Sequence, residues 1–450
     1  MRRRRVLLGI AAAGITSAVF LLGGVFSSSP AVDSLKLAAA RAMPSAADQD
    51  SLRRLLQGFS TGDTVGYVRK LERRVVRNPS DGEALTLLGL AYQQRARETG
   101  DPAFYRLSGD DLRRAALAGG PLPLIVQGRA SLANTRHRFK EGVELARKAV
   151  ELDPENASAY GALGDALLNL GRYERAFKVY DRMAVLSPGI ASYTRIANAR
   201  ELIGRPTEAA EADTLAVDAD RSAVPEHVAW AMVQLGNVHF NTGRLAEAAS
   251  AYRNALRQRP GYVHAEAGLA RVEASAGHYR RAIVRLRHVV DVLPVPAYVI
   301  MLGDVLHVSG HEPAARREYA LVGAIEQLFA ANGVRTELQT AVFDLDHDRN
   351  VADALDRARA AYIAAPSIYV EDALAWGLFR AGRCSEAKAH SAHALRLGTR
   401  DPLFYFHRAM IERCLGDASA HRWFRRALAI NPHFSFLWAP VARGALAASS

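Results

Sequence analysis

Residues 157–190 read ASAYGALGDALLNLGRYERAFKVYDRMAVLSPGI, and this stretch decides the fold. Tyr160, Leu163, Gly164 and Leu167 fall on one stripe of a helix. Leu170-Gly171-Arg172 stops that helix, because Gly171 can take the positive φ of a helix C-terminus. Tyr173, Ala176, Tyr180 and Met183 form a second stripe, and Pro188 ends it. The product is a pair of short antiparallel helices. Neither can bury its apolar stripe without neighbours of the same kind.

The chain supplies those neighbours. From about residue 48 onward the pattern returns with a period of about 34 residues. Units begin near Leu124, Ile190, Ala229, Val263, Pro296, Arg335, Ile368 and Asp401. A small residue recurs in each first helix, as Ala130, Gly164, Ala197, Gly236, Ala270, Gly303 and Ala375. A second small residue recurs in the partner helix, from Gly142 and Ala176 to Ala387. Helices approach closely only where side chains are small, so these positions are the crossing points. Tyr180, Tyr252, Leu286 and Tyr319 then fill the space against the next unit. Pro154, Pro188, Pro260, Pro294, Pro366 and Pro432 close their units.

Together these positions resemble the tetratricopeptide repeat family over most of the chain. The resemblance implies an all-α fold, a right-handed α-α superhelix of about ten to eleven helical hairpins whose first helices line a concave groove. It also implies a non-catalytic scaffold that binds a protein or peptide in that groove, without a cofactor. The alternative is an accessory subunit of a membrane enzyme or transporter that handles metal through its histidines.

The array is not uniform. Ser51 to Pro79 has a weak first helix and reads as an N-terminal cap. The following unit carries an insertion around Glu98 to Leu107, where Asp101-Pro102 can start a new helix. The Ile190 unit lacks its closing proline, places Asp213 where an aromatic is usual, and ends in the long connector Asp220 to His227. Residues 48–122 are therefore a cap with divergent repeats, and 123–434 the main array. Residues 435–450 are a capping helix interrupted or started by Pro440.

Arg2 to Arg5 precede the uncharged run Val6 to Phe26. A bilayer crossing takes about 20 apolar residues, so residues 1–30 read as an N-terminal transmembrane anchor, or alternatively as a signal peptide. Residues 31–47 are an Ala-, Ser- and Pro-rich linker. The basic cluster before the run places the repeats outside the cell membrane, or the chain is secreted. The formal net charge is +12, of which those four arginines supply a third. No aromatic platforms interleave with the remaining arginines, so nucleic acid is not an expected partner.

Groove-facing positions follow the small residue of each first helix. One set contains Asp165, Asn198, Asn237, Arg271 and Asp304; a turn later come Asn169 and Asn241. An asparagine amide both donates and accepts, so a row of them can hold a peptide backbone. Trp230 falls on the same side and is either a binding anchor or packing. Lysine is scarce, which excludes a lysine-based clamp for a terminal carboxylate. His390 and His393 are spaced for one metal but lack a third ligand, so no metal site is assigned. Asp344, Asp346, His347 and Asp348 fall at a hairpin turn and read as solvated. Cys384 and Cys414, the two cysteines, lie near turns of adjacent repeats and are either bridged or two buried thiols. No glycine-rich phosphate loop, G-x-S-x-G elbow or H-E-x-x-H motif is present.

Overall fold

The computed structural model describes residues 63–219 and 225–448. The expected anchor and linker, residues 1–47, lie outside the described residues, as do part of the N-terminal cap and most of the connector after Ala219. Among the described residues there are 22 helices and no strand. The first is α1 (Thr64–Arg77). Ten hairpins follow, each formed by two consecutive helices packed on each other. They are α2 (Gly82–Thr99) with α3 (Ala103–Leu117), α4 (Leu122–Thr135) with α5 (Phe139–Leu152), and α6 (Ala157–Asn169) with α7 (Tyr173–Leu186). Next come α8 (Ile190–Leu202) with α9 (Pro206–Ala219), α10 (Pro225–Asn241) with α11 (Leu245–Gln258), and α12 (Val263–Ser275) with α13 (Tyr279–Val292). The last four are α14 (Pro296–Val308) with α15 (Glu312–Ala331), α16 (Glu337–Asp346) with α17 (Val351–Ala364), α18 (Ile368–Arg380) with α19 (Cys384–Ala394), and α20 (Pro402–Cys414) with α21 (Ala420–Ile430). α22 (Trp438–Ala447) covers α21. The fold is an all-α solenoid of stacked hairpins, as the periodicity requires.

Local chemistry explains the boundaries. Asn156 caps α6 by accepting from the Ala159 N–H at 3.1 Å, and Asp81 caps α2 in the same way. The extra residues at Glu98–Leu107 lengthen α2 and add a tight turn, and α3 starts directly after Asp101-Pro102, where the Asp101 carboxylate accepts from the Ala103 N–H. Within α6, a Cβ on Gly164 would lie 2.4 Å from the Tyr180 ring. Gly236 meets Tyr252 and Gly303 meets Tyr319 in the same way. In these three hairpins the small residue of the first helix is the space into which the tyrosine of the second helix packs.

First helices of neighbouring hairpins also touch each other, as α6 does α8 and α10 does α12. Second helices pack on their own partner and on the next first helix. This asymmetry puts the first helices on the inside of the curve. The curve then closes on itself. The α6–α7 turn at Gly171 meets the segment before α18, six hairpins later, with room for no Cβ: one there would sit 2.5 Å from the Pro366 carbonyl oxygen. Gly171 also has φ 70°, so glycine is required twice over. The α8–α9 turn at Gly204 meets Gly398 before α20, again six hairpins on. The α10–α11 turn reaches Asn431 before α22, whose amide donates to the Phe240 carbonyl at 2.8 Å. Phe139, Tyr173 and Phe177 share one apolar cluster with Ile368, Ala394 and Phe404 across this seam. One superhelical turn is therefore six hairpins, and successive turns are sewn together.

The C-terminal end is closed by aromatics. Trp376 and Trp438 both donate their indole N–H to the Asp346 carboxylate at 3.0 Å. Asp344 is buried against Arg357, and His347 reaches Asp304. The cluster expected as a solvated turn is thus mostly internal, and only Asp348 is exposed, beside Arg380. Cys384 and Cys414 are joined in a disulfide that ties the start of α19 to the end of α20, with Cα atoms 6.3 Å apart.

Candidate functional site

The first set of groove positions has a common internal use. The Tyr180 hydroxyl donates to Asp165 at 2.9 Å, Tyr252 to Asn237 at 2.8 Å, and Tyr319 to Asp304 at 2.8 Å. In every case the tyrosine follows its acceptor by 15 residues. A cationic or imidazole group from the next hairpin completes the unit. Arg195 makes two bonds to Asp165, at 2.9 and 2.6 Å. Arg271 donates to Asn237 at 3.0 Å, and His347 Nε2 lies 2.8 Å from Asp304. Three side chains from two hairpins so form a repeated clasp. Burial and the adjacent Asp165 push the Tyr180 hydroxyl well above the usual tyrosine range, so it stays a donor. Burial works against the charge on Arg195, but the Asp165 carboxylate outweighs it and raises the guanidinium.

The remaining candidates divide. Asn169 donates to the Asp165 carbonyl within its own helix at 2.9 Å. Asn241 donates to Glu201 at 2.7 Å. Arg271 also lies over the Phe240 ring, 3.8 Å from its centroid. Trp230 stands edge-on to His264, and that imidazole is 2.6 Å from the Tyr298 hydroxyl. Asn198 differs from the others. The position 15 residues on, where a clasp tyrosine would be, holds Asp213. Asp213 is buried at 1% exposure, and burial with the nearby Glu201 pushes its carboxyl well up, which favours the neutral acid. Among the described residues the half-buried Asn198 amide has no partner. The Trp230 indole N–H on the neighbouring first helix has no hydrogen-bond partner either.

Glu201, Tyr369 and Asp401 were not among the expected site residues. They meet only because the superhelix closes: Glu201 lies on α8, while Tyr369 and Asp401 belong to hairpins five and six units later. Burial raises the Glu201 carboxyl, and Asp401 is pushed up to about 6 by burial. No single-unit spacing carries this signal. The tyrosine clasp, by contrast, has a fixed 15-residue interval that a repeat-by-repeat comparison finds. His390 and His393 both direct Nδ1 to the buried Glu371 carboxylate. Among the described residues no group of three or more His, Cys, Asp or Glu is arranged to hold a metal.

Tetratricopeptide-repeat family models match residues 128–189 and 239–302, which contain Tyr180 and Tyr252. The chain carries tetratricopeptide repeats. No curated protein sequence matches it. Among solved structures, YrrB, described as a TPR protein with an unusual peptide-binding site, is 21% identical over 41% of this chain and 91% of its own, with a TM-score of 0.29. PilW, described as a type IV pilus biogenesis factor, is 17% identical over 46% of this chain and 94% of its own, with a TM-score of 0.37. A human IFIT1 dimer with m7Gppp-AAAA is 12% identical over 82% and 87%, with a TM-score of 0.44. These are likenesses of the tetratricopeptide architecture alone.

Proposed function

We propose that the chain is a non-catalytic scaffold whose inner, first-helix surface holds a segment of a protein or peptide. The observation that carries this reading is the break in the clasp pattern at Asn198. Asp165, Asn237, Arg271 and Asp304 are engaged within the fold, and Asn169 and Asn241 each donate one bond inside it. Asn198 and Trp230 sit on adjacent first helices with polar groups that nothing in the described chain satisfies. An amide that donates and accepts, about two helical turns along from an indole on the next first helix that donates and offers an apolar face, suits an extended peptide backbone with an apolar side chain. Asn241 and Glu201 extend the same surface toward the seam.

Export of the repeats is part of the proposal. The disulfide between Cys384 and Cys414 supports an oxidising compartment, as does the basic-then-uncharged order of residues 2–26. No described helix is long and apolar enough to cross a membrane.

Site-specific photocrosslinking in intact cells tests the reading. A photoreactive residue at Asn198 should yield one dominant protein adduct, identified by mass spectrometry. The same residue at Leu117, which is 86% exposed on the second helix α3, should not. Equal adducts at both positions, or none at Asn198, refute the inner-surface site.

A further inference from the structure

α3, α4, the turn after α4 and the start of α5 line an open cleft of about 350 Å³. Its lining includes five arginines, Arg106, Arg113, Arg129, Arg136 and Arg138, and two carboxylates, Asp110 and Glu141. Asp110 is taken by Arg113 at 2.6 Å and Arg106 at 3.6 Å. Glu141 is taken by Arg138 at 3.0 Å. Five cations against two anions leave three positive charges uncompensated.

The excess is localised. Arg129 is exposed and has no partner among the described residues. Arg136 is fixed by one bond, from Nη2 to the Tyr105 carbonyl at 2.8 Å. Its Nε–H is buried without an acceptor. Burial and the field of Arg138 both lower this guanidinium, the direction expected where positive charge is crowded. A crowded guanidinium is relieved by an anion placed in the cleft.

We propose that this cleft binds a small soluble phosphate or pyrophosphate ester, gripped by Arg129, Arg136 and Arg113. Charge density selects phosphate over carboxylate. A lone carboxylate leaves two of the three charges unmatched, whereas a pyrophosphate ester concentrates two or three on one compact group. A compact di- or trianion matches both the charge and the space, which lies at the small end of ligand sites, roughly 300–1,000 Å³. Guanidinium forks pair bidentately with phosphoryl oxygens, and the lining contains no lysine. The site is separate from the inner surface at Asn198 and stands or falls independently of it.

Inorganic pyrophosphate is the probe, titrated calorimetrically into the full-length protein at low salt. One equivalent should bind per chain. Arg129→Glu should weaken binding by about tenfold or more while leaving the melting temperature unchanged, since Arg129 is exposed and makes no internal bond. Arg425→Glu makes the same charge change on an exposed part of α21, outside the cleft, and should leave binding nearly unaffected. Arg113→Ala provides a second cleft variant and should also weaken binding. Three results overturn the proposal: no saturable heat, equal weakening by Arg129→Glu and Arg425→Glu, or tighter binding of polyglutamate than of pyrophosphate.

Discussion

Removing one hydroxyl at Tyr173 should loosen a helix 195 residues away. The Ile368 N–H donates to the Tyr173 hydroxyl at 2.7 Å, and Ile368 is fully buried. Ile368 is the first residue of α18, so its N–H has no acceptor inside its own helix. Tyr173→Phe keeps the ring, its contact with Phe177 and its place beneath Arg396. It deletes only the acceptor and leaves the donor buried. Such a donor costs about 1–3 kcal/mol, which multiplies the opening equilibrium by roughly 5 to 150. In an ordinary linear array the cost would stay with α6, α7 and their neighbours, because each repeat contacts only the adjacent ones. Here the seam sends it to α18. Hydrogen exchange followed by mass spectrometry should show faster exchange in α18, and urea unfolding should show a lower midpoint. Faster exchange confined to α4–α9, with α18 unchanged, would refute the closed superhelix.

Two other outcomes follow from the same geometry. The double variant Cys384→Ser, Cys414→Ser should lose about 3.6 kcal/mol, since the bridge closes a sequence separation of 30 residues, and an unchanged melting temperature would contradict this. Asp401 has a folded value of about 6 against 3.8 when free, so the folded chain holds its proton more tightly and stability from this group falls as pH rises between those values. Asp401→Asn keeps a side-chain acceptor for the Leu403 N–H and should be more stable than the parent by about 1–3 kcal/mol near pH 7.5 but not near pH 4. The same stability difference at both pH values in urea titrations would rule the explanation out.

The hairpins were legible because they are local. Gly164, Gly171, Tyr180 and Pro188 report on neighbours within one repeat, and the period repeats that report across the chain. The polar side chains were less legible, because the residue type alone does not distinguish a groove from a clasp. Asp165 and Asn198 occupy equivalent positions, yet only Asp165 has a tyrosine 15 residues later. The substitution at Asp213, read from the sequence as a local irregularity, is what frees Asn198. The acidic run Asp344 to Asp348 misled for a related reason. At a turn of an open array it would face water, whereas Asp346 here is covered by the two tryptophans of the C-terminal closure.

The seam was not legible at all, and it changes what the inner surface can be. Contacts such as Gly204 with Gly398 join segments that share no repeat and no motif. They depend on the accumulated rotation of six hairpins, so a small change in every crossing angle would separate them by many ångströms. The tyrosine clasps limit that freedom. Each one fixes a first helix to its partner and to the next hairpin through two or three bonds to one polar side chain. The Asn198 unit is without its clasp tyrosine, and it is followed by the connector between α9 and α10. This unit is therefore joined to the next hairpin without the clasp that Asp165, Asn237 and Asp304 supply elsewhere. A ligand that bonds to Asn198 and Trp230 would supply what the missing tyrosine does not. Binding there should accordingly slow exchange in α8 and α10 more than in α6 or α12.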